Sequence, residues 1–182
     1  MNGGLRRLDA SRLPDPRRDA IDAETLEKAA AIVRDVQRGG EAALRSHAER
    51  LGDVAPGGPL VIERSALIAA RDGLAQADRA LLERTAGRIR AFAEAQRAAL
   101  NTVTVRVPGG RAGHTVAPVE RAGCYAPGGR YPLPSSVLMT AVTARAAGVE
   151  SVWVASPRPQ VVTLAAAAIA GADALLAVGG AQ

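Results

Sequence analysis

Aromatic residues are almost missing from this sequence: one Trp, two Tyr and one Phe in 182 residues. A surface that binds single strands by stacking bases on rings is excluded on that count. The core must instead be built from Ala, Val, Leu and Ile. Cysteine occurs once, as Cys124, so no internal disulfide can form and a reducing compartment is permitted. Lysine also occurs once, as Lys28, and the net charge of +5 rests on arginine. The arginines alternate with acids, as in Glu49-Arg50 and Glu83-Arg84, which is the pattern of a solvated helix face rather than of a nucleic-acid patch. Apolar runs such as 161–170 are far shorter than the ~20 residues a bilayer span requires. The first thirteen residues lack the apolar stretch of a secretory signal. Composition therefore points to a cytoplasmic protein with neither a nucleic-acid nor a membrane partner.

What is present divides near Pro118. Residues 1–118 read as a mainly helical region ending in a β-hairpin, and 119–182 as a βαβαβ half-domain. In the first part, Asp22 caps a helix that Gly39-Gly40 ends, with an apolar stripe of Leu26, Ala29, Ala30, Val33 and Val36. A short helix follows, then the Pro56-Gly57-Gly58-Pro59 loop, a helix from Ser65 and a long one from Asp78. The long helix carries Leu81, Leu82, Ile89, Phe92 and Gln96 near one face. Residues 102–107 alternate and are β-branched, predicting a strand whose hairpin partner is 113–118.

Past Pro118 only Glu120, Arg121, Arg130, Arg145, Glu150, Arg158 and Asp173 are charged, as expected of elements buried on both faces. The pattern predicts a strand at 119–126, a serine-capped helix to Ala147, a strand at 152–155, a helix at 161–170 and a strand at 174–178. That is half of a doubly wound parallel sheet, an incomplete Rossmann-like α/β fold behind a helical region. No helix follows to cover the last strand, so the sequence reads as cut short.

Ligands of such sheets sit at the carboxyl ends of the strands. Two glycine turns fall there, Gly128-Gly129 and Gly179-Gly180. The first precedes a helix start, a place that favours anions, although a tight turn stiffened by prolines accounts for the same residues. The dinucleotide fingerprint G-x-G-x-x-G is absent. Tyr125 and Gln182 both lie on this predicted edge. Cys124 points the opposite way and reads as a small buried hydrophobe. His47 reads as a helix-surface residue and His114 as part of the hairpin. Neither has the neighbours of a metal site, and no catalytic triad or carboxylate pair is assembled.

The run Arg121-Ala122-Gly123-Cys124-Tyr125-Ala126-Pro127-Gly128-Gly129-Arg130-Tyr131-Pro132-Leu133-Pro134-Ser135-Ser136-Val137-Leu138-Met139 resembles the R-V-G-x-Y-V-P-G-G-x-x-P-L-x-S-T-V-L-M signature of histidinol dehydrogenases. Residues 144–149 resemble the family's A-x-x-A-G-V, and the closing Val178-Gly179-Gly180-Ala181-Gln182 is similar to its V-G-G-A-Q. Weaker likenesses are 36–44, with Glu41 where aspartate is usual, and Phe92 to Gln96, with Ala93 in place of histidine. The resemblance implies a homodimeric enzyme that oxidises L-histidinol to L-histidine through the aldehyde, with two NAD and a zinc ion. It places nucleotide contacts on Tyr125 and Gln182. The family's zinc ligands, glutamate–histidine pair and substrate serine match no position here, so this chain is expected to hold no catalytic or metal residue of its own. A same-family dehydrogenase of another primary alcohol, and a non-catalytic binding or assembly module, are the alternatives.

Overall fold

The computed structural model describes Asp9 and residues 22–128 and 131–179. Helix α1 spans Ala23–Arg50, with Asp22 as its cap: Oδ1 accepts the Thr25 N–H at 2.8 Å. Gly40 breaks it into two helices at φ 57°, ψ −140°, a conformation reserved in practice for glycine. Strand β1 (Val61–Glu63), helices α2 (Arg64–Asp72) and α3 (Gln76–Ala98), and the hairpin β2 (Val103–Val107)–β3 (Gly110–His114) follow. The hairpin partner is thus Gly110–His114 rather than 113–118, because the chain turns in two residues, Pro108-Gly109, and pairs Val107 with Gly110.

Beyond the hairpin come β4 (Arg121–Tyr125), a helix, β5 (Ser151–Ala155), α6 (Val161–Ala170) and β6 (Ala174–Leu176). The helix between β4 and β5 is interrupted. It runs as α4 (Pro134–Val137), a π-helical turn (Leu138–Val142) and α5 (Thr143–Ala147). Within the turn, the Thr140 hydroxyl donates to the Ser136 carbonyl at 2.8 Å, the side-chain-to-backbone competition that distorts helices. No serine caps this helix; Leu133 occupies the cap and Pro134 opens the first turn.

The sheet order is β1-β6-β5-β4. Strands β4, β5 and β6 are parallel, and β1 lies antiparallel along β6 with Val61 opposite Leu176. The sheet is therefore mixed, with its last parallel strand paired on both sides. Helices α2 to α6 pack among themselves against one face. Ala122 and Cys124 of β4, with Val152 and Val154 of β5, turn toward them, while Gly123 and Trp153 face the other way and are exposed. The sheet buries one face here rather than two. Its core is made of small residues: Ala141, Ala166, Ala167 and Ala170 are fully buried beside Leu67, Leu138 and Leu175. Each buried leucine contributes about 1.5–3 kcal/mol; the alanines let α6 approach α2 and the sheet closely. The predicted stripes of α1 and α3 are only partly buried. Leu26, Val33, Leu81 and Phe92 are half-exposed or more, whereas Leu82, Ala86 and Ala93 form the buried side of α3.

Arg145 closes the amino end of the sheet. Its guanidinium donates to the carbonyls of Gly171 (2.8 Å), Val149 (3.1 Å) and Glu150 (2.6 Å) and pairs with Asp173 at 2.7 Å. Asp173 in turn accepts the Val152 N–H at 2.8 Å. Hydrogen bonds to a charged group contribute about 1.5–3 kcal/mol, so Arg145→Ala should cost about 2–4 kcal/mol. A urea midpoint shift equivalent to less than about 0.5 kcal/mol, the range of ordinary surface changes, would show the hub to be idle.

At the carboxyl end, Pro157 lies between two loop backbones. A Cβ at Gly128 would stand 2.4 Å from Pro157 Cγ, and one at Gly179 2.6 Å from its Cγ and Cδ. Both glycines are thus required by a close approach to the same ring. Gly128→Ala and Gly179→Ala should each destabilise by about 1–3 kcal/mol through overpacking. In a Pro157→Ala background, which lacks Cγ and Cδ, the Gly179→Ala penalty should shrink. An equal penalty in both backgrounds, read from thermal melts, would disprove the wedge.

Candidate functional site

Strand alternation decides where Tyr125 points. Cys124, one residue earlier, is buried toward the helices, where burial pushes its thiol pKa up against a smaller opposing hydrogen bond with Thr140. Tyr125 therefore projects from the other face, at the carboxyl end of β4, with its hydroxyl buried. The second half of α1 covers this end of the face. Between them is a cavity of about 290 Å³ lined by Tyr125, Ala155, Val178 and Gly179 on the sheet side and by Leu44, His47 and Ala48 on the helix. The ends of β4 and β6 thus share one space, though β5 separates them, placing them about 10 Å apart. Gln182, the other residue singled out in the sequence, lies outside the described residues, as do Gly129 and Gly180.

His47 is more than a surface residue, since its side chain is 18% exposed. Its Nε2 lies 2.7 Å from Asp35 Oδ2 and its Nδ1 2.9 Å from an Arg50 guanidinium nitrogen. Arg50 can only donate, so Nδ1 accepts and Nε2–H donates to Asp35. The ring thereby ties the two halves of α1 across the Gly40 break. His114 sits on the hairpin, with Nε2 3.1 Å from the Asn101 carbonyl. Among the described residues no group of three or more His, Cys, Asp or Glu is placed to hold a metal ion.

Asp53 is the residue that sequence reasoning missed. It is buried, and its Oδ2 accepts the Gly179 N–H at 2.8 Å. Its main-chain carbonyl accepts the Arg158 N–H at 2.9 Å. Arg158 has φ 47°, the one positive value among the described non-glycine residues. One residue after α1 thereby fixes both loops at the strand ends. An aspartate after a glycine at a helix end carries no sequence signal of such reach, because both partners are more than a hundred residues away.

Other hollows lie beside the site and away from it. A smaller one, about 120 Å³, lies between 126–128 with 131–133 and the start of α6. Another, about 890 Å³, is an open groove at the amino ends of β4 and β5, floored by Gly123 and Trp153. It is the uncovered sheet face, remote from Tyr125.

Comparison with known proteins agrees with this arrangement. Histidinol dehydrogenase of Bordetella parapertussis is 40% identical over 171 residues, covering 90% of this chain and 39% of that protein. Histidinol dehydrogenase of Cupriavidus pinatubonensis is 38% identical over 201 residues, covering all of this chain and 44% of its own length. The chain thus spans about two fifths of these curated relatives. The crystal structure of histidinol dehydrogenase from Elizabethkingia anophelis superposes with a TM-score of 0.75 over 92% of this chain and 39% of that one, at 22% identity, a likeness of fold. Residues 15–182 match the family model of histidinol dehydrogenase, and the chain belongs to that family.

Proposed function

We propose that this chain is the nucleotide-binding part of an NAD-dependent histidinol dehydrogenase, which converts L-histidinol to L-histidine through the aldehyde with two NAD reduced. The supporting observation is the cavity in which Tyr125 meets the end of β6. At about 290 Å³ it is at the lower limit of small-molecule pockets, enough for one ring of a dinucleotide with the rest along the loops. NAD, when bound, accepts the hydride. The chain's own part is to hold it: Tyr125 offers a ring face and a hydroxyl, Ala155 and Val178 an apolar wall, and Gln182 an amide beyond Gly179. Asp53 fixes the Gly179 turn from which Gln182 continues.

Zinc belongs to the proposed whole enzyme, but no described cluster here suits it, and no step is assigned to it. A homodimer in the cytoplasm is part of the same reading. The half-exposed Leu26 and Val33 of α1 and the exposed Val103, Val105 and Val107 of the hairpin support an assembled form.

The chain by itself should not oxidise histidinol. Removing a hydride requires a base on the hydroxyl, and both ring nitrogens of His47 are engaged by Asp35 and Arg50. Purified chain with histidinol, zinc and NAD should give no NADH above blank. Turnover would overthrow the assignment of the catalytic groups to elsewhere.

In the full-length enzyme, Tyr125→Ala should weaken NAD binding tenfold to a hundredfold, about 1–3 kcal/mol for one stacking contact and one hydrogen bond, with zinc content unchanged. Gln182→Ala should act in the same direction. Calorimetry giving wild-type NAD affinity for both folded variants would make this edge purely structural.

A further inference from the structure

The small hollow beside the site has a distinct chemistry. It is lined by Ser156 and Thr163, by Arg158 and by Gln160, against 126–128 and 131–133. Ser156 and Thr163 are each 4% exposed, and neither hydroxyl has a hydrogen-bond partner among the described residues. Both side chains line the hollow, so a ligand there can take up their hydrogen-bonding capacity. No carboxylate lines the space, and Arg158 makes no ion pair among the described residues.

The same hollow lies at the start of α6, a helix of ten residues whose N-cap, Gln160, makes no side-chain capping bond. Thr163 and Leu164 N–H groups turn back to the Gln160 carbonyl, which leaves those of Val161 and Val162 without an acceptor in the helix. The two hydroxyl side chains, the Gln160 end of α6 and Arg158 line a single space. At about 120 Å³ it has room for roughly four waters, and so for a tetrahedral anion.

We propose that this hollow is a phosphate-binding site, in which Ser156, Thr163 and the first turn of α6 hold the phosphate oxygens and Arg158 supplies the opposite charge. The left-handed backbone of Arg158, fixed by its N–H bond to the Asp53 carbonyl, holds this arginine at the hollow's rim. The phosphate could belong to the dinucleotide, in which case the inference deepens and rests on the proposed nucleotide reading, or to a free phosphate compound.

Calorimetric titration of the 182-residue chain with inorganic pyrophosphate, and separately with NAD, tests this. The variants are Thr163→Val, which keeps the side-chain shape, and Arg158→Asn, which keeps a left-handed backbone accessible. Far-UV spectra and melts confirm that each is folded. Pyrophosphate should bind the wild type, with affinity falling about fivefold to twentyfold in each variant. If NAD displaces it and is weakened by the same variants, the dinucleotide is the source. Displacement by inorganic phosphate but not by NAD would keep the site and remove the nucleotide reading from this edge. NAD binding that depends on Tyr125 but is untouched by both variants, with no pyrophosphate binding, would overturn the phosphate site and leave the nucleotide reading intact. Equal pyrophosphate affinity in wild type and variants would also overturn it.

Discussion

The carboxyl end of this sheet depends on the contact of one proline ring with two glycine backbones. Pro157 follows β5, Gly128 follows β4 and Gly179 follows β6, so the ring gathers the chain as it leaves all three parallel strands. Dispersion at such separations is weak per atom pair and large only when many atoms close up together, which is why no Cβ can be admitted on either side. Asp53 adds a polar tie to the same place, binding Gly179 by its side chain and Arg158 by its main chain. Packing draws the loops together and the carboxylate sets their register. The two glycine turns, which suggest in sequence that backbone is being opened to a ligand, are in the first instance making room for a neighbour.

That contact also arranges the openings. Tyr125 and the end of β6 share the cavity under α1, and the donors around the start of α6 share the hollow beside 126–128. The first is mostly apolar and the second is rimmed by donors. In the proposed reading they would take the ring and the charged part of one extended ligand, at strand ends backed by an alanine-rich layer of helices.

Much of this was legible in the sequence. The break at Gly39-Gly40, the strand expected at 152–155 and found as β5, helix α6 and its ending at Gly171 follow from periodicity and turn residues, since these segments are long enough for a pattern to show. Strand β1 was not legible, because three residues, Val-Ile-Glu, carry no period and are defined only by pairing with β6. Strand β3 was misplaced for a related reason: Gly-Arg-Ala-Gly-His has no apolar alternation and is a strand only because β2 is one. The π turn arises from hydroxyl bonding within the helix, where composition gives no warning. Of the site, the Tyr125 orientation came from alternation against Cys124. The role of Asp53 and the donors at Ser156 and Thr163 required the loops to be brought together in space. The apolar stripe of α1 was real as a pattern but misleading as a guide to burial, with Leu26 and Val33 open.

Strand β1 has a topological effect out of proportion to its three residues. Lying antiparallel along β6, it closes the outer side of the last parallel strand, whereas β4 is paired only with β5 among the described residues. Any strand that extends the parallel set must therefore pair with β4, against the direction in which β5 and β6 were laid down. The winding would then reverse at β4, and the connections leaving β4 and the newcomer would diverge to opposite faces. Divergence of that kind opens a crevice at the carboxyl end of the strand where it occurs, and Tyr125 stands at that end of β4.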